Sequence, residues 1–441
     1  MTTPKPSYKS RVLLLAGNLG AAAIVAAQPA AYESLPQVTV EAMLPAYLAR
    51  SAHHRLDADP NVNGYEAEFL IQSDQGEFRV RSVPMLALRV REIETVAQVS
   101  TQLARMLRDQ DDRRTVERRG QVQTGNRSVV GLLDAPVSGT SGLGEQFSNT
   151  ATSNIIGVQG NKVVTPDPQP KPLERAPSSL SSNDPIVQGH KRSAAAALGL
   201  DVYSTNPNVQ ALLDEVAIER ASGNSQAGAI SVSLPGGIDR RIADGRVDAA
   251  IRGALSRHPQ PALQERNAGL LSNLGANDRL VGAFMGNAAL SPRQRTEIVE
   301  YTVFLNDVGN RLALVAGAAT AADEIEAERW THAARALAHY HDRESRLARL
   351  IQSGHIPVGI TQAGAMVVLL PFDVVLWDQA TERVFKGVSS FASKQGIEVV
   401  EILTGGIATS AARNNLAAMG FNFRERYLFE RTPHRMPSGR I

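Results

Sequence analysis

The spacing of apolar positions changes several times along the chain, and each change predicts a different kind of element. Residues 66–71 and 77–83 are apolar-rich arms around Ser73, Asp74, Gln75 and Gly76. Alternation in the second arm and glycine at the turn predict a β-hairpin. Met85, Leu88, Val90, Ile93, Val96, Val99, Leu103 and Met106 then recur at helical spacing, which predicts an amphipathic helix. A lone two-stranded hairpin is marginal in water, so this small unit is expected to dock on something larger.

From residue 191 to about 351 the period is helical almost throughout. Asn206-Pro207 supplies an N-cap and a proline at the first helical position, Val209, Leu212, Leu213, Val216 and Ile218 a buried face, and Gly223 a stop. Ser291-Pro292 repeats the device ahead of Ile298, Val299, Val303, Phe304, Val308 and Leu312. A third helix is expected over about 323–351, with Ile325, Trp330, Ala334, Leu337, Tyr340, Leu347 and Leu350 on one face. Residues 230–237 read as extended and then turned. Beyond them the pattern alternates: strands at 356–360 and 366–377, a helix at 379–394, a strand at 397–403, a helix at 409–419 and a strand at 421–429. Strands alternating with helices predict a small α/β layer.

Two stretches have no such period. Residues 32–60 are expected to be a connector. Residues 107–190 open on a mixed-charge run, continue through Gly, Ser, Thr and Asn, and end in prolines at 166, 168, 170 and 172. They carry too little apolar area to offset the entropy of ordering, so a flexible linker is expected. Inside it the more apolar island 129–147 is read either as a loop packed on the core or as a contact with a membrane or partner. The fold class expected is α+β, with an N-terminal β-hairpin plus helix (32–106), the linker, a helical middle (191–352), a small C-terminal α/β layer (353–430) and a basic tail (431–441).

The first 31 residues form a pattern of their own. Lys5, Lys9 and Arg11 precede an almost wholly apolar run at 12–27, followed by small residues at 25–27 and 29–31. This is the layout of a secretory signal cleaved at Ala27 or Ala31, and the run is shorter than the roughly 20 residues a membrane span needs. The 441-residue chain has no cysteine, which excludes thiolate nucleophiles, thiolate-bound metals and disulfides. Its net charge of +2 gives no long-range field to draw in nucleic acid. Three stretches, "MLALRVREIE" at 85–94, "DVYSTNPNVQALLDEVA" at 201–217 and "VVEILTGGIATSAARNNLAAMGF" at 399–421, resemble a group of uncharacterised exported bacterial proteins. The resemblance implies export and a shared architecture, and it implies no activity.

Candidate chemistry collects at a few places. The double glycine Gly405-Gly406, between a strand and a helix, is where Thr404, Gly405, Gly406 and Thr409 would meet an anion at a helix N-terminus. It lacks the lysine of a phosphate-binding loop and the spaced glycines of a dinucleotide fingerprint, so a plain turn with Thr409 or Ser410 as N-cap is the simpler expectation. Asp373 and Asp378, with Glu382, stand where strands end and would suit acid–base work, although Asp378 also reads as a helix N-cap. Glu328, His332, Arg335, His339 and Asp342 follow steps of three and four along one helix face; Arg335 among them disfavours a cation, and a solvated surface is expected. Arg424, Arg426, Arg431, Arg435 and Arg440, interleaved with Phe423, Tyr427 and Phe429, would suit a polyanion or an ordinary exposed end. No metal and no cofactor are expected.

The expectation for function is an exported protein that acts by binding or assembly at the cell envelope, with a protein partner there. The rival is a periplasmic hydrolase or ligand-binding enzyme whose site lies around Asp373, Asp378 and the 404–409 turn.

Overall fold

A hairpin made of β3 (Glu66–Ser73) and β4 (Gly76–Arg81) begins the main body, as the alternation requires, with Gly76 at φ 112° in the turn. The computed structural model describes residues 32–33, 37–124, 180–234, 245–353 and 356–429, all within one unit, Tyr32–Ile441. Ahead of the hairpin lie α1 (Val40–Met43), α2 (Ala46–Ala49), β1 (His54–Leu56) and β2 (Asn61–Asn63). β1 and β2 pair antiparallel with the two ends of β3, completing a four-stranded sheet. The expected connector is therefore structured: Thr39 caps α1, and Met43 and Leu48 are fully buried. These helices span barely a turn, too short for a periodic pattern to show.

α3 (Val83–Thr124) starts where the sequence places it and runs 18 residues past the expected linker boundary at 107. The reason is visible in the mixed-charge run: Arg108 and Asp112, and Asp109 and Arg113, are opposite charges four residues apart, which supports a helix even in solvent. At its other end the linker yields residues 185–190 to α4 (Pro185–Leu198), capped by Asp184 and closed by Gly199 at φ 69°. The island 129–147, the signal-like segment 1–31 and the tail 431–441 lie outside the described residues.

The helical middle continues with α5 (Pro207–Ala221), α6 (Gly245–Arg257), α7 (Gln260–Asn273), α8 (Asp278–Gly286), α9 (Pro292–Phe304), α10 (Ala313–Ala318) and α11 (Glu324–Arg343). Both cap-plus-proline starts are as expected: Asn206 accepts from the Asn208 amide, and Ser291 forms a reciprocal capping box with Gln294. Residues 230–234 form no regular element; Gln98 and Gln102 of α3 bond to their backbone at Ser233 and Ser231.

α11 ends eight residues before the expected 351. Leu347–Ser353 is instead β5, antiparallel to β6 (Ile356–Thr361). Leu347 and Leu350 are buried as expected, but on a strand with a register irregularity between Leu347 and Arg349, and that irregularity lets a spacing of three imitate a helix. The boundary at 352/353 thus falls inside a sheet. That sheet runs β11-β9-β7-β6-β5, with β7 (Met366–Leu370), β9 (Val400–Thr404) and β11 (Asn422–Arg424) parallel to one another. The expected strand at 421–429 is cut to three residues, and the chain then turns through Arg426 and Leu428 at positive φ. β8 (Val374–Val375) and β10 (Ile407–Ala408) form a separate parallel pair, and α12 (Gln379–Lys394) and α13 (Ser410–Ala418) follow the expected spans.

The fold is α+β in the expected order, but its parts share cores. Leu337 of α11 packs with Val367 of β7 and Leu403 of β9, while Val368 and Ile402 face Phe385 of α12 and Leu416 of α13 on the opposite side. Val90 and Ile93 of α3 join Phe69 and Ile71 of β3 with Val374, Ile407 and Phe429 from the C-terminal layer. The middle of α3 packs on α4 and α5 through Val99 and Leu103. The hairpin unit is docked on the C-terminal layer, as its marginal size demanded. Among the described residues no helix is long and apolar enough to cross a membrane.

Candidate functional site

The double-glycine turn is closed by its own chain. Thr404 Oγ1 donates to the Phe372 carbonyl at 2.6 Å and accepts from the Gly406 amide at 3.2 Å. Ile407 N donates to the Asp373 carbonyl at 3.0 Å, Ala408 N to Glu425 at 2.6 Å, and Thr409 N to the Val375 carbonyl at 3.0 Å. Thr409 Oγ1 caps α13 and donates to Glu33 at 2.5 Å. The donors an anion would need at Thr404, Gly406 and Thr409 are engaged. Glycine at 406 answers a steric need: a Cβ there would lie 1.8 Å from the Asp373 carbonyl oxygen.

Asp373 and Asp378 are likewise committed, and to different tasks. Asp373 is buried, and its two oxygens accept from the Val83 amide at 2.8 Å and the Ala67 amide at 3.0 Å. It bolts the start of α3 and the start of β3 to the C-terminal layer. Burial pushes its carboxyl up to about 6 against the pull of those two amides. Asp378 is the N-cap of α12, accepting from Thr381 N at 2.7 Å and from the Tyr65 hydroxyl at 2.9 Å. Its pKa is lowered: desolvation opposes the shift, and those hydrogen bonds outweigh it. The two carboxylates do not form a pair.

The helix face expected to be solvated is the wall of a cavity. α9 lies at the centre of the helical layer, with every residue from Gln294 to Thr302 buried. Its polar side chains therefore need partners inside the protein. Arg293 Nε donates to Glu297 Oε1 at 2.6 Å, and Arg335 of α11 donates to Glu297 Oε2 at 2.7 Å, so one carboxylate is held between two guanidiniums. Gln294 Nε2 donates to Glu328 of α11 at 3.0 Å. Around this network opens a cavity of about 340 Å³, bounded by α3, the loop 201–205, α9 and α11. Arg89, Glu92, Asp201, Ser204, His332 and Phe429 also line it. The stripe of five separates there: Glu328, His332 and Arg335 face the cavity, while His339 meets the edge of Tyr427 at 6.2 Å and Asp342 pairs with Arg343 at 2.7 Å.

Electrostatics in this cavity are strongly biased. Burial would raise Glu297, but the two arginines win and hold it down at about 2. Arg293 and Arg335 are held above their ordinary values; burial opposes this, and Glu297 outweighs it. Glu328 has no such clamp: burial lifts it to about 7 against the opposing charge of Arg335. Burial, with Arg335 adding to it, drops His332 to about 3, so its ring is neutral at physiological pH. Asp201 is also raised by burial, with Arg293 opposing. The ring of His332 stacks on Phe429 at 5.2 Å.

A second space of about 80 Å³ adjoins the first at Pro84 and His332. Its wall includes Trp330, Ala333, Leu369, Phe372 and Gly405.

Ser51, His54 and Glu94 are also brought together, the residue types of a hydrolytic triad. His54 Nδ1 faces both Ser51 Oγ and Glu94 Oε1 at 2.8 Å, while Nε2 faces the Leu48 carbonyl at 3.3 Å. A relay needs the nucleophile and the orienting acid on opposite ring nitrogens, so this cluster is structural. Among the described residues no group of three or more His, Asp or Glu is placed to hold a metal. The described start of the basic C-terminal stretch is folded in: Arg424 pairs with Glu344 and lies 4.8 Å over the Tyr427 ring, and Arg426 donates to the Met43 carbonyl at 3.1 Å.

No family model matches the chain, and no curated protein and no solved structure is significantly similar to it.

Proposed function

We propose that the protein binds a small anionic molecule in the cavity between α3, the loop 201–205, α9 and α11. The observation that carries this reading is the convergence of Arg293, Arg335, Glu328, Asp201 and Glu92, from four separate elements, on one concave space of about 340 Å³. Ligand sites have this form, a pre-formed hollow with a few converging polar groups. The charge balance favours an anion. Arg293 and Arg335 share the single charge of Glu297, Arg89 is paired with Glu92 at 2.5 Å, and of the other acids Glu328 is lifted by burial to about 7, while Asp201 and the exposed Glu324 also border the space. A carboxylate is the fitting group, since it can accept from a guanidinium and from protonated Glu328 together.

Calorimetry with acetate and propionate tests the reading. Glu328 shares the cavity wall with Glu324, His332 and Arg335 on its own helix, Arg293 and Glu297 on α9, Asp201 on the loop, and Arg89, Arg91 and Glu92 on α3. Of these, Glu328 is brought by burial to about 7, so binding is expected to weaken as pH rises through that value and to lose most of this dependence in Glu328→Gln. Ala288→Trp, at the exposed rim, is expected to block binding without changing the circular dichroism. Absence of carboxylate binding at every pH between about 5 and 8 overturns the reading.

Export and action at the cell envelope remain part of the proposal, supported by the pattern of the first 31 residues. A protein partner there, and lipid contact through 129–147, are proposals of the same standing; vesicle co-sedimentation with and without residues 125–150 tests the second, and equal binding would remove it. An enzyme site in the C-terminal layer has less support, because Asp373, Asp378 and the 404–409 turn are engaged by the chain's own groups.

A further inference from the structure

Resting on the carboxylate reading of the larger cavity, we propose that the ligand is amphiphilic: its carboxylate lies among Arg293, Arg335 and Glu328, and a short apolar chain extends past His332 into the adjoining recess. The two spaces share Pro84 and His332 in their walls, so a single molecule can occupy both. Their linings differ in kind. The larger space is ringed by charge, whereas the recess is walled mainly by Pro84, Trp330, Ala333, Leu369 and Phe372, with Glu326, Arg329 and Asp373 at its polar positions.

The polar groups at the recess are mostly spoken for. Asp373 accepts from two backbone amides, and Arg329 donates to Glu66 through Nη2 at 2.8 Å, leaving its Nε as a buried donor without a partner. Apart from that one donor, a surface of this kind rewards hydrocarbon over a second charged group, whose charge would be buried with little to pair it. Size sets the length of the chain. A water needs about 10–15 Å³ of such space, so about 80 Å³ admits a chain of a few carbon atoms.

Two features shape the junction at His332. The ring is held flat against Phe429, with an interplanar angle of 7°. Gly405 lies at the edge of this stacked pair: a Cβ there would sit 3.5 Å from His332 Nε2 and 3.0 Å from Phe429. His332, kept neutral, presents to the ligand an uncharged ring between the ionic and apolar spaces.

The test is calorimetry on the full chain with the straight-chain carboxylates from acetate to hexanoate, together with indole fluorescence. The chain has two tryptophans, and Trp377→Phe leaves Trp330, on the recess wall, as the sole indole. Affinity is expected to rise about three- to fourfold per methylene until the recess is full, and Trp330 emission to change for the longer members and not for acetate. In Ala333→Leu, whose side chain fills the recess, that gain with length is expected to vanish. Affinity independent of chain length with silent Trp330, while acetate still binds, overturns this inference and leaves the cavity reading standing. If none of the carboxylates binds, both fall.

Discussion

The double-glycine turn at 404–409 and the helix face at 328–335 present opposite cases. The turn resembles a site in sequence and is a joint in the structure, its donors engaged and Gly406 pressed against the Asp373 backbone. The helix face reads as a solvated stripe and lines a cavity ringed by charged side chains. The difference lies in where the partners come from. The turn is completed by Phe372, Asp373 and Val375, only about thirty residues away along the chain. The cavity needs α3, the loop 201–205, α9 and Phe429 as well, contributed from positions 84–335 and 429, and no local spacing announces that assembly.

Substitutions can break this comparison at either end. The largest effect is expected for Glu297→Ala, which leaves Arg293 and Arg335 buried without their shared carboxylate. Removing one side of a buried ionic cluster costs about 3–5 kcal/mol, to be read as a lowered midpoint in urea. A small loss would mean that the network is solvated and the cavity open to bulk water. Gly406→Ala is expected to cost about 3 kcal/mol, because the added Cβ meets backbone that has little room to yield; full stability would show that the turn is not a packed joint.

Asp373→Ala is expected to cost about 2 kcal/mol by stranding the Val83 and Ala67 amides. Hydrogen exchange at those two amides should accelerate first, and unchanged protection would separate the docking of the hairpin unit from Asp373. Glu328→Gln should do least to stability near neutral pH, since the amide can still accept from Gln294. Its effect is on pH dependence. The folded carboxyl titrates at about 7 against an ordinary 4.5, so the fold favours its protonated form. That contribution is complete below about 4.5 and is lost as pH rises to about 7. Thermal midpoints of the wild type should therefore shed this share across that window, and Glu328→Gln should not; parallel curves for the two proteins would place Glu328 in solvent.

Much of the architecture was legible because it is local. Asn206-Pro207 and Ser291-Pro292 name helix starts through capping and fixed φ, and Gly76 names a hairpin turn through its positive φ. The elements that escaped are those whose order is contributed from outside. α1 and α2 are too short to show a period, the extension of α3 beyond 107 lies under a charge pattern shared with disordered segments, and β5 hides its strand character in a register irregularity. At the site, Glu328, His332 and Arg335 were recognisable as one face by their spacing; that the face is interior was not. The one signal within reach was the polarity of α9 itself: Gln294, Arg295, Glu297 and Glu300 sit in a helix with strong apolar positions on several sides, which foretells a buried polar network only once the helix is known to be central.

The amino-acid sequence by itself determined the α+β order, the main helix starts and the hairpin, because propensity, capping and periodicity act over a few residues. Only the tertiary structure decided which charges lie inside. Burial depends on what packs against a face from hundreds of residues away; it brings two arginines against Glu297, lifts Glu328 to about 7 and keeps the His332 ring uncharged at the junction of two cavities.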